Sequence, residues 1–468
     1  MINHFPKQIS NYAIIVYLCA LTLISIFYLD YTMKFGYIVL GIFFVAGFFL
    51  FTGSWSREWA KMPVKQYVAK IFIIAVVIRL IWVVASYFYY IEATGQPFEF
   101  DTGDAIGYHD EAQWLAGEGW STTMDYYFGS GFKGVSDVGY PLYLTLLYSL
   151  FGPSIIIPRI IKAFLSAYTA VLVYRLSVRT FGESTGRMAG LMMVLMPNLI
   201  IYCGYHLKET EMIFLEVAFL ERLDYLLRNR KINFVTILVS TLLALSLFFF
   251  RTVLGAAAVF SFATAIVFSS TPTMKKGWKR TALIGWGVFC LLIAAGGTIV
   301  NEVESLWEGR GDNVIKKRTE QTIRGNQWAQ YATGTVMAPM MFVLPFSTMV
   351  DVSHQYAQQT KHGGNYIRNF MGFFVLIAIY EAFRRKKWRD FSLIGSFVIA
   401  YLGVVSLSGF SNSERFLLPG LPCLVMMWAY GVSALRKETF KLLTPWCFVV
   451  IAMEFAWAYF KLGSRGLF

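Results

Sequence analysis

Long apolar runs broken by short clusters of basic residues dominate the chain. Each run of about 18 residues or more predicts a helix that crosses a bilayer. Such runs lie near 11–29, 35–53, 67–90, 159–181, 187–205, 209–227, 233–250, 253–271, 281–300, 368–384, 391–408, 416–435 and 442–461. The pattern predicts an all-α polytopic membrane protein of about thirteen transmembrane helices, with outer-face loops and juxtamembrane helices between them. The run from Val235 to Ser270 is too long for one crossing. It divides at Arg251-Thr252, because a charge at mid-bilayer is costly and a hairpin brings it to a surface. Residues 139–151 and 336–350 are apolar but short, and each reads as an interfacial or re-entrant segment.

The basic clusters orient the bundle. Arg57/Lys61/Lys65, Arg175/Arg179/Arg187, Arg222/Arg228/Arg230/Lys231, Lys275/Lys276/Lys279/Arg280, Arg384–Lys387/Arg389 and Arg436/Lys437/Lys441 all fall on one side of this layout. The positive-inside rule makes that side cytoplasmic. The first large loop, 91–137, then lies outside with nine acidic residues and one basic one, as do 301–367 and the turn 409–415. This divides the chain into two N-terminal helices (1–64), a transmembrane core with its acidic loop (65–300), the outer loop 301–367 and C-terminal helices (368–468). The N-terminal run reads as a retained first helix.

Composition agrees, with 57% hydrophobic and 15% charged residues. The net charge of +13 sits in the short basic loops and so does not argue for nucleic acid. The five cysteines, Cys19, Cys203, Cys290, Cys423 and Cys447, lie in or beside apolar runs and read as buried thiols. No internal repeat is visible, and the charges within span interiors (Arg79, Glu216, Glu381, Glu454) are few and scattered, which disfavours a transporter.

The densest polar stretch follows the third span and contains Asp101, Asp104, Tyr108, His109, Asp110 and Glu111. Carboxylates at the end of a span are costly unless solvated or used. If 105–116 is helical, Asp104, Tyr108 and Glu111 share a face at i, i+4 and i+7, while His109 and Asp110 point elsewhere. One of the aspartates also suits a helix N-cap.

An ordered set of motifs runs through the chain: Asp104-x-x-x-Tyr108-x-x-x-Ala112, Leu115-Ala-Gly-Glu-Gly-Trp120, Gly139-Tyr-Pro through Phe151-Gly152, Arg159-Ile-Ile-Lys162, Tyr174 through Phe181-Gly182, Met196-Pro197, His206-Leu-Lys-Glu209-Thr, and Glu414-Arg415 followed by Pro419-Gly-Leu-Pro422. Over roughly residues 65–435 this set resembles the bacterial membrane glycosyltransferases of the GT-C superfamily, in the branch related to protein mannosyltransferases and lipid A aminoarabinose transferases. The resemblance implies a GT-C-like fold in the bacterial cytoplasmic (inner) membrane. It also implies a polyprenyl-phosphate-linked sugar donor, used with inversion on the periplasmic face. Asp104 stands where the family places its catalytic carboxylate, with Asp101 as the alternative; such chemistry needs a general base for the acceptor hydroxyl and cations for the leaving phosphate. Arg415 at the membrane edge suits a phosphate, with snorkelling or pairing to Glu414 as the plainer reading. Tyr108, Glu111, His206, Lys208, Glu209 and Arg251 complete the expected substrate-binding set. Arg159 and Lys162 either face lipid headgroups or serve the structure.

Two departures matter. Many relatives carry Arg-Pro-Pro before the Gly-Tyr-Pro segment, where this chain has Val135-Ser-Asp137-Val, so an expected cation is missing. The carboxylate motif also lacks the Asp-Glu pair of protein mannosyltransferases, which leaves the acceptor open among glycan, lipid and protein. No cofactor is expected with a defined site. Outer histidines and carboxylates keep a divalent metal open, although no ligand-like spacing such as His-x-x-x-His occurs. The enzyme alternative is an envelope-polysaccharide polymerase or ligase; the non-enzyme alternative is a lipid or solute transporter.

Overall fold

The computed structural model describes residues 3–100, 103–129, 138–228, 234–268, 337–352, 355–408 and 413–463, with isolated positions 285, 287 and 467. Asp101, the expected span 281–300, most of the loop 301–367, the basic cluster at 275–280 and most of the turn 409–415 lie outside the described residues.

Within them the regular structure is helical throughout. The helices are α1 (Lys7–Phe27), α2 (Phe35–Glu58), α3 (Val64–Thr94), α4 (Gly103–Glu118), α5 (Trp120–Phe128), α6 (Gly139–Phe151), α7 (Ile156–Phe181), α8 (Glu183–Leu195), α9 (Pro197–Ile201), α10 (Glu209–Arg228), α11 (Phe234–Phe250) and α12 (Thr252–Phe268). After residue 355 come α13 (Tyr356–Arg384), α14 (Ser392–Leu407), α15 (Glu414–Leu417), α16 (Leu421–Ala434), α17 (Lys437–Phe440) and α18 (Leu443–Gly463). Seven described helical stretches are long and apolar enough to cross a membrane, or eight if one bent pair is a single span. The protein is therefore a multi-pass membrane protein. Large apolar side chains such as Ile26, Phe43, Ile81, Phe88 and Phe448 remain exposed on its flanks, as lipid-facing surface requires.

The expected count of about thirteen crossings does not emerge from the described residues, for three physical reasons. The run at 187–205 is broken: α8 and the α9 stretch meet at an angle of 50°, where Pro197 removes a backbone donor. The fully buried Arg79 caps that break, donating to Met193 O at 2.9 Å and Val194 O at 3.2 Å, and to Ser166 Oγ at 2.7 Å. Second, α10 is a full-length helix but carries Glu209, Glu211, Glu216, Glu221 and Asp224, all buried against neighbours, so it is too polar to count as an apolar crossing. Third, α11, α12 and α14 are apolar but only 16 or 17 residues long. The long 235–270 run does divide at Arg251, between α11 and α12.

One end of the bundle gathers basic clusters. Arg179 of α7 bonds Glu221 and Asp224 of α10 at 2.9 and 2.7 Å. Arg187 at the start of α8 donates to Trp59 O, just past α2, at 2.7 Å. Arg385 and Arg436 both reach Glu381 of α13, at 2.8 and 2.9 Å. At the opposite end α4, α5 and α6 pack as short helices, with Ala105, Ala112 and Leu115 of α4 fully buried. The free thiols are buried at Cys203, Cys423 and Cys447, but Cys19 is exposed on the flank of α1, contrary to expectation, because its position falls on the outward face of that helix.

Candidate active site

The end formed by α4, the 205–208 turn, the α11–α12 break and α15 holds the concentration of charge. Asp104 is the second residue of α4, and its carboxylate accepts from Nη1 of Arg415; the Nε of the same guanidinium donates to Glu209. The two carboxylates differ sharply in exposure: the Asp104 side chain is 59% accessible, that of Glu209 0%, with Arg415 at 20%. Arg415 thus does not pair with Glu414, which turns inward to Lys361 at 3.0 Å. Successive residues of a helix point about 100° apart, so neighbours in sequence serve different clusters.

Tyr108, one turn after Asp104, sits beside Arg415 and packs edge-on against Tyr140 with ring centroids 5.2 Å apart. Burial pushes its phenol above the ordinary value. Lys208 is buried and donates to Phe250 O at 3.1 Å, just before the helix break at Arg251. Burial, then the nearby Arg251, pushes the Lys208 ammonium well below its usual value. Arg251 lies with its guanidinium carbon 4.3 Å from the centroid of Phe416, and its Nη1 is buried without a hydrogen-bond partner. The structure therefore brings Asp104, Tyr108, Lys208, Glu209, Arg251 and Arg415 together from four separate segments.

Two expected members fall elsewhere. Glu111 shares the α4 face of Asp104 and Tyr108, but its carboxylate accepts a hydrogen bond from Tyr127 of α5 at 2.8 Å, because α5 follows α4 and offers a partner there. His206 is fully buried, with Nε2 3.2 Å from Tyr148 Oη, whose other neighbour is His109 Nδ1 at 2.8 Å. Burial lowers both imidazoles, that of His206 well below the usual value with help from Lys162, so both rings are neutral near pH 7.

Arg159 and Lys162 face protein, not lipid. Arg159 donates to Pro97 O at 2.7 Å and lies 3.5 Å from Glu99, whose carboxylate accepts the His206 backbone N–H at 3.0 Å. Lys162 Nζ donates to Tyr205 O at 2.9 Å, to Tyr140 Oη at 3.0 Å and to Leu207 O. The turn that carries Lys208 and Glu209 is thus clamped on both sides. Asp104 is an ion-paired carboxylate that stays more than half exposed, because Arg415 lies within reach of the α4 N-terminus.

A second cluster escaped the sequence reading. Lys361, Asn365 and Arg368 lie on α13 at i, i+4 and i+7, in its polar first half, where the helical spacing of these three could have revealed them. Lys361 and Asn198 both engage Glu414, Asn198 donates to Asn365 at 2.9 Å, and Arg368 donates to Leu417 O at 3.4 Å. Nε and Nη2 of Arg368 are buried without hydrogen-bond partners. Among the described residues no group of three or more His, Cys, Asp or Glu side chains could hold a metal ion.

No protein-family model and no curated protein matches the chain. Among solved structures it is similar to the Archaeoglobus fulgidus oligosaccharyltransferase crystallised with zinc and sulfate, at 10% identity and a TM-score of 0.42, over 85% of this chain and 53% of that one. It is similar also to the same archaeal protein tethered by a disulfide bond to an acceptor peptide containing the NVT sequon, at 11% identity and a TM-score of 0.43, over 87% of this chain and 56% of that one. The chain spans little more than half the length of those structures.

Proposed function

We propose that this protein is a GT-C-type glycosyltransferase that moves a sugar from a polyprenyl-phosphate-linked donor to an acceptor hydroxyl, with inversion at the anomeric carbon. The observation that carries this reading is Arg415, held between Asp104 and Glu209 beside Lys208 and Arg251. A carboxylate with access to solvent and a group of cations within one cluster are the two parts such a transfer needs. The ordered motifs that carry the family resemblance supply the same residues.

In this mechanism Asp104 takes the proton of the acceptor hydroxyl. The acceptor oxygen forms its bond to the anomeric carbon from the face opposite the phosphate. The carbon–oxygen bond to the phosphate breaks, and its electron pair leaves with the phosphate. Arg415 receives that charge through a planar guanidinium able to bond two oxygens at once. Burial disfavours the charged form of Lys208, and an arriving anion would favour it. Tyr108 and Arg251 line the same cluster, while His206 supports it through Tyr140, whose ring packs against both His206 and Tyr108. Placing the Lys/Arg-rich end in the cytoplasm sets this site on the periplasmic face of a bacterial inner membrane.

The test is transfer of labelled sugar from synthetic polyprenyl-phosphoryl sugars, with purified full-length protein in lipid nanodiscs and the product anomer read by NMR. Inverted product that depends on Asp104 and Arg415 supports the reading. Retention at the anomeric carbon, or transfer unaffected by either residue, sinks it. Turnover only with long lipid-linked glycans would instead favour a polymerase or ligase.

A further inference from the structure

The two carboxylates on Arg415 are not equivalent. Glu209 is fully buried at the head of α10, and its position is set by a turn clamped by Lys162 on the carbonyls of Tyr205 and Leu207 and by Glu99 on the backbone of His206. If Arg415 left it, an ionised carboxylate would remain in the protein interior, a heavy loss. Among the described residues its second oxygen, Oε2, has no hydrogen-bond partner, and Arg415 is the group that bonds its first. Asp104 is the opposite case. Its side chain is more than half exposed, and a carboxylate released there is taken up by water at little cost.

Resting on the reading of the site given above, we propose that Glu209 is a positioning residue that holds Arg415 through Nε, while an incoming phosphate exchanges for Asp104 at the Nη edge of the guanidinium. One event then fills the leaving-group site and frees the base. Without a donor, Asp104 is occupied as the partner of Arg415. With the phosphate in place, Asp104 is unpaired next to the bond that will break. The site thereby couples activation of the base to the presence of a donor phosphate, and donor binding precedes acceptor activation.

The exchange has a counter-intuitive signature. Asp104→Asn removes the competing carboxylate, so it should tighten phosphate binding even as it abolishes transfer. Glu209→Gln should loosen Arg415 and weaken binding. A merely structural role for either residue does not produce opposite signs from two isosteric carboxylate-to-amide changes.

The experiment measures equilibrium binding of farnesyl phosphate to the full-length protein in nanodiscs, for wild type, Asp104→Asn, Glu209→Gln and Arg415→Ala. Expected are binding about two- to fivefold tighter for Asp104→Asn, about tenfold weaker for Glu209→Gln and at least tenfold weaker for Arg415→Ala. Unchanged or weaker binding by Asp104→Asn overturns the exchange while leaving the glycosyltransferase reading intact. Arg415→Ala binding like wild type overturns both. Should Glu209→Gln fail to fold, the Asp104→Asn arm decides by itself, since that exposed side chain can be changed without disturbing the core.

Discussion

The two ends of the bundle use arginine in opposite ways. At the basic end, Glu381 takes Arg384, Arg385 and Arg436, Glu221 takes Arg179 and Arg222, and Asp224 takes Arg179 and Arg228. Each buried acid there has several partly exposed basic partners, and the pairs tie neighbouring helices to one another. At the site end the ratio inverts: a single guanidinium, Arg415, is shared by two acids, and Arg251 Nη1, Glu209 Oε2, and Nε and Nη2 of Arg368 are buried with hydrogen-bonding capacity unspent. Buried polar atoms are normally satisfied, so a concentration of unsatisfied ones marks a place where something else binds or where strain is kept. Ion pairs of the first kind tie helices together, whereas those of the second kind are where the proposed reading seats the donor phosphate.

The sharpest way to break this contrast is at Asp104. Asp104→Asn should lower transfer by roughly 10²–10⁴-fold, the usual worth of a general base, with thermal stability near wild type because the side chain is exposed. A mutant retaining more than about a tenth of wild-type turnover would put the base elsewhere. Next comes Arg415: replacement by Ala should cost roughly 10–100-fold in turnover, and by Lys somewhat less, since charge is kept but the two-pronged geometry is lost. Equal activity of both variants with wild type would make Arg415 an anchor of the same kind as Arg436.

At the basic end the effect should appear in stability instead. Glu381→Gln leaves Arg385 and Arg436 without their shared acid and should cost about 1–3 kcal/mol, read as a lowered Tm in detergent, with transfer per folded molecule within about twofold of wild type. The more exposed Arg384 should contribute little to that loss. A large fall in turnover with an unchanged Tm would erase the distinction between the ends.

The smallest effect concerns pH. His109 and His206 are held below their ordinary value in the folded protein, mainly by burial. Below about pH 6.5 the unfolded chain therefore binds protons that the folded one refuses, and stability falls as pH drops through that range; above it their contribution is constant. Melting curves between pH 5 and pH 8 should show this decline, about as the linkage relation requires, and His206→Gln should flatten it. Wild-type stability that rises on acidification would contradict the assignment of neutral rings.

The hydrophobic pattern alone specifies a membrane-embedded helical bundle, the separation of α11 from α12 at Arg251, and the cluster of basic loops. Each follows from a local cost: apolar length against bilayer thickness, or a charge that must reach a surface. Lys208, Glu209 and Arg251 were legible as candidates because charged residues at span ends are scarce enough to stand out, and Asp104, Tyr108 and Arg415 through the motifs that carry the family resemblance. What was not legible is who meets whom. Glu111 shares the helical face of Asp104, but its partner is Tyr127 of α5. Glu414 adjoins Arg415, yet it pairs with Lys361 from α13, more than fifty residues earlier in the chain. Arg159 and Lys162 look like headgroup anchors and are instead the clamps of the 205–208 turn. The sequence by itself decided which residues are too costly to leave unsolvated and unused. Only the packing of distant helices decided that Arg415 would be gripped by a buried Glu209 and an exposed Asp104, because a side chain's partners depend on the direction it leaves its helix and on what the fold has placed there.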